Sequence, residues 1–291
     1  MKALVTGGAG FIGSKMVDFL VAEGHDVIVI DNCSAIEESL CHWNPKAKNI
    51  VMDIGDLDGM MYLFHDVDCV FHMAALTSVQ LSINNPVDTF KVNIMGTCNV
   101  LECCRRAMVS RIVFSSTSAV YESSDSPIDE TKPTNCLNPY AATKLCGEEL
   151  VRTYGMLYGL ETIILRYFNV YGPDQKSEGN YAPVMAKFTN QRSTGCPLMV
   201  NGDGLQSRDF VHVSDVIEAN YSAAKCDKSK CNGSIYNVGS GRSFRIIDIA
   251  RSISSDIKFS PSRVGEIQHS TADITKIKSL LEWKPKIHLF D

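Results

Sequence analysis

Tyr140 and Lys144 stand four residues apart in the run Tyr140-Ala-Ala-Thr-Lys144. On a helix that spacing puts both side chains on one face. A free phenol has a pKa near ~10, too high for a base at neutral pH. A neighbouring ammonium favours the phenolate and lowers that value. The pair therefore reads as a general base, Tyr140, with Lys144 as its charge partner. Upstream, the strand pattern Arg111-Ile-Val-Phe114 runs into Ser115-Ser-Thr117-Ser-Ala119-Val-Tyr121. Hydroxyls at the C-terminal end of a parallel strand sit where α/β folds bind ligand. Thr117 can there hydrogen-bond a reacting oxygen and share its proton. Either motif alone fits an ordinary amphipathic helix or a turn. Their conjunction carries the catalytic reading.

A second chemistry-bearing stretch lies at the N-terminus, in Thr6-Gly7-Gly-Ala-Gly10-Phe11-Ile12-Gly13-Ser. Strand pattern leads into Gly-x-x-Gly-x-x-Gly and then into a helix. Gly7 permits a tight turn, Gly10 lets backbone approach a pyrophosphate, and Gly13 lets the helix pack closely. The helix N-terminus offers free N–H groups and a positive dipole end to phosphates. A second strand, Asp26-Val-Ile-Val-Ile30, ends at Asp31. That acid follows the turn by about 20 residues, the spacing at which a carboxylate binds ribose hydroxyls. It would repel a 2′-phosphate, so the cofactor reads as NAD rather than NADP.

The elements that must position these residues alternate along the first half. Strands are expected at 2–6, 26–30, 48–52, 68–72, 111–115 and 161–167, with helices at 12–23, 86–107 and 139–158. Such alternation predicts an α/β fold with a doubly wound parallel sheet. After Tyr171-Gly-Pro173 the pattern turns polar, and 172–208 reads as substrate-binding territory over the sheet's C-terminal edge. A strand and helix return in 209–224. The expected division is 1–171 plus about 209–238 for the dinucleotide. About 172–208 plus 239–291 would form a smaller mixed α/β substrate domain.

Composition narrows the class. A length of 291 residues suits one large or two modest domains, and 45% hydrophobic residues fit a globular chain. A formal charge of −5 argues for neither nucleic acid nor an anionic membrane as partner. No apolar run reaches the ~18 residues of a membrane span. The chain opens directly in a strand pattern, which leaves no room for a signal peptide. The 11 cysteines include no C-x-x-C, and the Cys226/Cys231 spacing has no second pair. They read as reduced, mostly buried thiols of a cytoplasmic protein, with no metal site.

The motifs occur in an order that resembles the NAD-dependent sugar epimerase/dehydratase family of extended short-chain dehydrogenases/reductases. The matching runs are TGGAGFIG (6–13), Asp31-Asn32, Asp53-Ile54, His72-Met-Ala-Ala75, Asn93, SSTSAVY (115–121) and YAATK (140–144). They continue with RYFNVYGP (166–173), RDFVHVSD (208–215) and RVGEIQHSTAD (263–273). The resemblance implies a Rossmann-type fold. It places Gly7, Gly10, Phe11, Ile12, Gly13, Asp31, Asn32 and Ser115 at the cofactor. Asp53 and Ile54 would flank the adenine, Ala74 and Asn93 would lie along the cofactor, and Phe168 beside the nicotinamide. Asn169, Asn180, Tyr181, Arg208 and Arg263 would meet a substrate diphosphate or its neighbouring loop, a role suited to guanidinium forks. Thr77, Glu266 and Ser270 match further substrate positions. His72 reads as packing, and Asp215 as a helix cap.

Members of this family share oxidation of a nucleotide sugar at C4 and differ in the fate of the keto sugar. Its 4,6-dehydratases carry an acid pair directly after the Thr117 equivalent, where this chain has Ser118 and Ala119. Its UDP-glucuronate decarboxylases have a Glu at the Ala119 position. Its 3,5-epimerases use a cysteine near this strand end, and none is present. Water elimination and C5 deprotonation need a further acid/base group, whereas 4-epimerisation does not. The resemblance therefore favours a UDP-hexose 4-epimerase. A 4-keto reductase or 2-epimerase is the alternative, and a non-catalytic dinucleotide sensor the different class. Four departures stand out: Glu122 replaces a usual glycine, Thr77 a lysine of some members, Asn201 a frequent aromatic and Glu266 a common Asp. Relatives usually continue past Trp283-Lys-Pro285 into a last helix. The family also implies a homodimer through helices 86–107 and 139–158, with Val100, Leu101, Leu145 and Leu150 among their apolar positions.

Overall fold

A computed structural model of the protein describes residues 1–34, 41–175, 183–262 and 267–290. In chain order its strands are β1 (Lys2–Thr6), β2 (Asp26–Asp31), β3 (Lys48–Val51), β4 (Cys69–His72), β5 (Arg111–Thr117), β6 (Glu161–Tyr167), β7 (Asn169–Tyr171), β8 (Leu198–Asn201), β9 (Ser207–His212), β10 (Ser234–Val238), β11 (Ser243–Arg245), β12 (Ile257–Ser260) and β13 (His269–Ser270). The helices are α1 (Phe11–Ala22), α2 (Leu57–Met60), α3 (Val79–Asn84), α4 (Pro86–Phe90), α5 (Gly96–Arg106), α6 (Pro139–Tyr158), α7 (Val184–Ser193), α8 (Val213–Lys225), α9 (Ile246–Ile253) and α10 (Thr275–Leu280).

Seven strands form one sheet in the order β10-β6-β5-β4-β1-β2-β3. Every pairing in it is parallel, from β2 with β3 at one edge to β10 with β6 at the other. Continuous apolar strands suit this arrangement, because each face is covered by helices. Val5, Val29, Phe71, Val113 and Leu165 pack on one face with Met16 and Leu20 of α1 and Val216 and Ile217 of α8. Leu4, Ile28, Val70, Ile112 and Phe114 pack on the other with Val100 and Leu101 of α5 and Val151 of α6. The doubly wound reading is borne out.

Two features differ from the sequence reading. The helix expected over 86–107 is broken into α4, a π-helical turn at Lys91–Met95 and α5. Within the π-turn the Asn93 side chain bonds the Leu76 backbone in a neighbouring loop. Strand β9, expected with the large lobe, pairs instead with β7, β11 and β13 in a separate four-stranded sheet. It straddles both parts: Val211 packs in the core of the large sheet, while Phe210 packs with Phe188, Leu198 and Ile247 under the smaller one. The following α8 and β10 return to the large sheet. Among the described residues, no helix is long and apolar enough to cross a membrane.

Candidate active site

Helix α6 begins at Asn138, whose side chain accepts from the Ala141 N–H at 2.9 Å, with Pro139 in its first turn. Both devices fix the helix start, so Tyr140 and Lys144 lie one turn apart at a defined place. The Tyr140 N–H also donates to Ser82 Oγ at 3.1 Å, pinning α6 to α3. Thr117 closes β5, next in the sheet to β4, and its side chain is in hydrogen-bond contact with the Tyr140 phenol. Thr117 Oγ1 accepts from the Ala119 N–H at 3.1 Å, which orients it. The structure thus brings together the three residues read as catalytic.

Electrostatics refine that reading. Removal from water pushes the Tyr140 phenol up to about 12, and the contact with Thr117 acts against this. The expected lowering by Lys144 is not among the influences on Tyr140. Lys144 is buried, its Nζ 4.6 Å from the centre of the Phe114 ring. Burial pulls its ammonium down to about 8, and the Glu148 carboxylate one turn further along opposes that pull. At neutral pH the site therefore holds a neutral phenol and a charged lysine.

A buried lattice of hydrogen bonds ties the surrounding loops to α6. Asn93 Oδ1 accepts from the Leu76 N–H at 2.8 Å, and its Nδ2 donates to Leu76 O and to Thr143 Oγ1, each at 3.0 Å. Asn93, inside the π-turn, joins the segment after β4 to the helix carrying Tyr140 and Lys144. π-turns of this kind are frequent at functional sites. His72 is fully enclosed between Thr6 Oγ1 at 2.7 Å and Thr97 Oγ1 at 2.9 Å. Thr97 donates to Asn93 O at 2.6 Å, so it accepts from His72. Burial, with Lys144 adding to it, pulls the imidazole down to about 3, so His72 is a neutral strut.

The glycine turn fits a dinucleotide diphosphate. Gly7 has φ +70°, and a Cβ there would lie 2.7 Å from Ala74 N. A Cβ at Gly13 would lie 2.0 Å from Gly7 O, so Gly13 abuts the turn itself. Helix α1 starts after Gly10 with no side-chain cap and no acid in its first turn, which leaves its positive end open to an anion. Phe11 and Ile12 form that first turn. Asp31 at the end of β2 accepts from the Ala9 N–H at 3.0 Å and the Cys33 N–H at 2.8 Å, holding the turn beside β2. Asn32 donates to Asp53 at 2.7 Å, and Ile54 is buried against Gly96. Ser115 Oγ lies 2.9 Å from Tyr167 OH.

Of the residues matched to substrate binding, Asn180, Tyr181, Arg263 and Glu266 lie outside the described residues. Asn169 donates to Asp209 O at 3.0 Å. It lines a cavity of about 230 Å³ with Gln175, Met185 and Phe210 among others. Phe168 is buried against Tyr121, Ile128 and Ala272. Arg208 donates to the Ser207 and Gln268 carbonyls, so its guanidinium spans β9 and the segment leading into β13. Ser270 is buried in β13, in register with Arg208, whereas Thr77 is exposed.

Two carboxylates were not recognised from sequence. Asp209 accepts from Ser240 N and Oγ, Gly241 N and Ala272 N at 2.7–3.0 Å, so it ties β9 to the loop after β10 and to the segment after β13. Glu148 accepts from Arg166 and Ser116 beneath Lys144. Asp215 is likewise not the cap of α8, a place taken by His212. It accepts from the Lys286 and Ile287 N–H groups, each at 3.0 Å, and anchors the C-terminal segment.

The fold and the glycine turn define a dinucleotide-binding protein. The NAD dependent epimerase/dehydratase family matches residues 3–239, and the chain belongs to that family. It is an NAD-dependent enzyme of the epimerase type. A Methanocaldococcus jannaschii relative, provisionally named a UDP-glucose 4-epimerase, is 40% identical over 98% of this chain and 94% of its own length. The UDP-N-acetyl-alpha-D-glucosaminuronate decarboxylase of Bacillus cytotoxicus is 35% identical over 98% and 93%. The structure of Thermotoga maritima UDP-glucose 4-epimerase with UDP-glucose superposes with a TM-score of 0.93 at 35% identity, covering 99% of this chain and 95% of that one.

Proposed function

We propose that the protein interconverts nucleoside-diphosphate hexoses by 4-epimerisation, with UDP-glucose and UDP-galactose as the first pair. The observation that carries this reading is the run Thr117-Ser118-Ala119, which adds no acid or base to Tyr140, Lys144 and Thr117. Relatives at about equal identity perform different reactions, so the chemistry of these positions decides among them. When bound, NAD supplies a site that accepts a hydride and returns it. Tyr140 would first shed its own proton to solvent, once bound oxidised NAD adds its positive charge to that of Lys144; as phenolate it would take the proton of the sugar C4 hydroxyl and give it back, while Thr117 hydrogen-bonds the same oxygen. Lys144, on the same face of α6, would supply positive charge to the phenolate as it forms and would contact NAD.

Gly7, Gly10, Phe11, Ile12 and Gly13 would hold the diphosphate of NAD, and Asp31 and Asn32 its adenosine ribose. Asp53 and Ile54 would flank the adenine, with Ala74, Asn93, Ser115 and Phe168 further along. The large sheet with α8 and β10 forms this part, and residues 172–208 and 239–291 bind the nucleotide sugar. Asn169, Asn180, Tyr181, Arg208 and Arg263 hold its diphosphate and the adjoining loop, with Thr77 and Glu266 at the margins. Proton NMR of a sugar-nucleotide panel tests the reaction. UDP-galactose appearing from UDP-glucose supports it. Loss of water or carbon dioxide from any member of the panel, without interconversion, overturns it.

Ser270 sets the breadth of that panel. A large side chain at its place would fill the space that a 2-N-acetyl group sweeps as the sugar turns over, and serine leaves it open. The enzyme is expected to interconvert UDP-GlcNAc and UDP-GalNAc as well. In Ser270→Tyr, kcat/KM for the N-acetyl pair should fall while that for the plain hexoses is spared. Equal losses on both pairs would remove Ser270 as the gate.

A further inference from the structure

Glu148 is wholly removed from solvent, at 0% exposure, yet it forms an ion pair there with Arg166. Its Oε2 lies 2.6 Å from Arg166 Nη2, its Oε1 2.9 Å from Arg166 Nε and 2.5 Å from Ser116 Oγ. The Arg166 guanidinium also stacks over the Tyr121 ring at 4.6 Å. A buried ion pair recovers its desolvation cost only with excellent geometry, and well-packed apolar residues would often serve stability as well. The location of this pair is what distinguishes it. Ser116 sits between Ser115 and Thr117 on β5. Glu148 follows Lys144 by one turn of α6 and Tyr140 by two.

We propose that Glu148, clasped by Arg166 and Ser116, is the positioning residue of the site: it keeps Lys144 charged and locks the end of β5 that presents Thr117 to Tyr140. The inference rests on the assignment of Tyr140 as base and Lys144 as its charge partner. The groups facing Lys144 are Tyr140 and Glu148 on its own helix, His72 on β4 and, behind Glu148, Arg166 on β6. Phe114 on β5 and the side chains that α5 turns to the core are uncharged. His72 is neutral and Tyr140 is a neutral phenol, so Glu148 is the one anion in this set. Burial drives Lys144 toward the neutral amine, and the Glu148 carboxylate acts in the opposite sense.

The test compares wild-type holoenzyme with Glu148→Gln and with Glu148→Gln/Arg166→Gln. The double variant leaves neither a guanidinium nor a carboxylate orphaned, so it remains informative if the single variant does not fold. The Lys144 ionisation is followed through the 13Cε resonances of lysine-labelled protein, with Lys144→Met providing the assignment. The midpoint should drop by about one pH unit or more in both variants, the scale of losing a neighbouring opposite charge. The alkaline limb of the kcat–pH profile should move down by the same amount. A merely structural role would lower kcat at every pH and leave the limb in place. An unchanged Lys144 midpoint in the folded double variant overturns the proposal. Wild-type protein that turns over no sugar nucleotide would overturn the reaction instead, and the resonance titration would still decide the role of Glu148.

Discussion

At the scale of single residues, Tyr140 carries the sharpest expectation. Its hydroxyl acts only when the proton moves, so Tyr140→Phe should keep NAD and substrate affinity and lose turnover by several orders of magnitude. Near-normal kcat in that variant would displace Tyr140 as the base. His72 gives a second expectation, of stability. Its folded value is about 3 and its unfolded value 6.5. Below pH 6.5 the unfolded chain takes up a proton that the folded one refuses, so stability falls as pH drops from 6.5 toward 3. The slope of this single site approaches about 1.4 kcal/mol per pH unit within that window. Denaturant unfolding of wild type and His72→Asn across pH 4–7 measures it. Equal pH dependence in both would show that His72 ionises freely. Tyr140, Lys144, Thr117 and Asp31 were legible because their chemistry is written in spacing. Glu148, Arg166 and Asp209 were not, because a sequence does not say which charges lie inside.

Among elements, α6 and β5 must approach closely for Lys144 to meet Phe114, and Gly147 makes the approach. A Cβ at Gly147 would lie 2.6 Å from Phe114 Cζ. Phe114 cannot retreat readily, since it is 1% exposed and rests 5.7 Å from the His72 ring. Alanine in place of a helical glycine gains about 1 kcal/mol of propensity, whereas overpacking a core costs about 1–3 kcal/mol. Gly147→Ala is therefore expected to lower the melting temperature and kcat together. Gly147→Ala/Phe114→Leu should regain stability, because the shortened side chain yields the space. A melting temperature raised in the single variant would show that the contact is loose. Strands were legible from their apolar runs, since parallel strands are buried on both faces. The break in helix 86–107 was not: the Asn93 within it bonds Leu76 and Thr143, partners far along the chain. The membership of β9 escaped for a similar reason: its alternating Phe210 and Val211 serve two cores.

For the whole molecule, the open question is what covers α4 and the outer face of α6. The sequence points to Val100, Leu101, Leu145 and Leu150 for a subunit contact. The structure places Val100 and Leu101 in the core at 0% exposure, and Leu145 and Leu150 partly so. The apolar side chains left outside are others: Val87 at 76% and Phe90 at 40% on α4, and Met156 at 75% and Leu157 at 66% near the end of α6. Val87 and Phe90 are three residues apart and share a helix face. A two-fold axis beside that face would bury the same patch on both copies, the isologous geometry of most homodimers. Single exposed apolar residues need no explanation, but two on one face of a short helix that packs on α6 do form a patch. We therefore expect a C2 homodimer built on α4 and α6, with Val87 and Phe90 at its centre. Light scattering of the wild-type protein at micromolar concentration should give twice the chain mass. Val87→Glu/Phe90→Glu should halve that mass while leaving the circular dichroism spectrum unchanged, because neither side chain supports the core. A wild-type protein that scatters as a single chain would remove the dimer. A wild-type dimer that survives the double substitution would move its interface to another face.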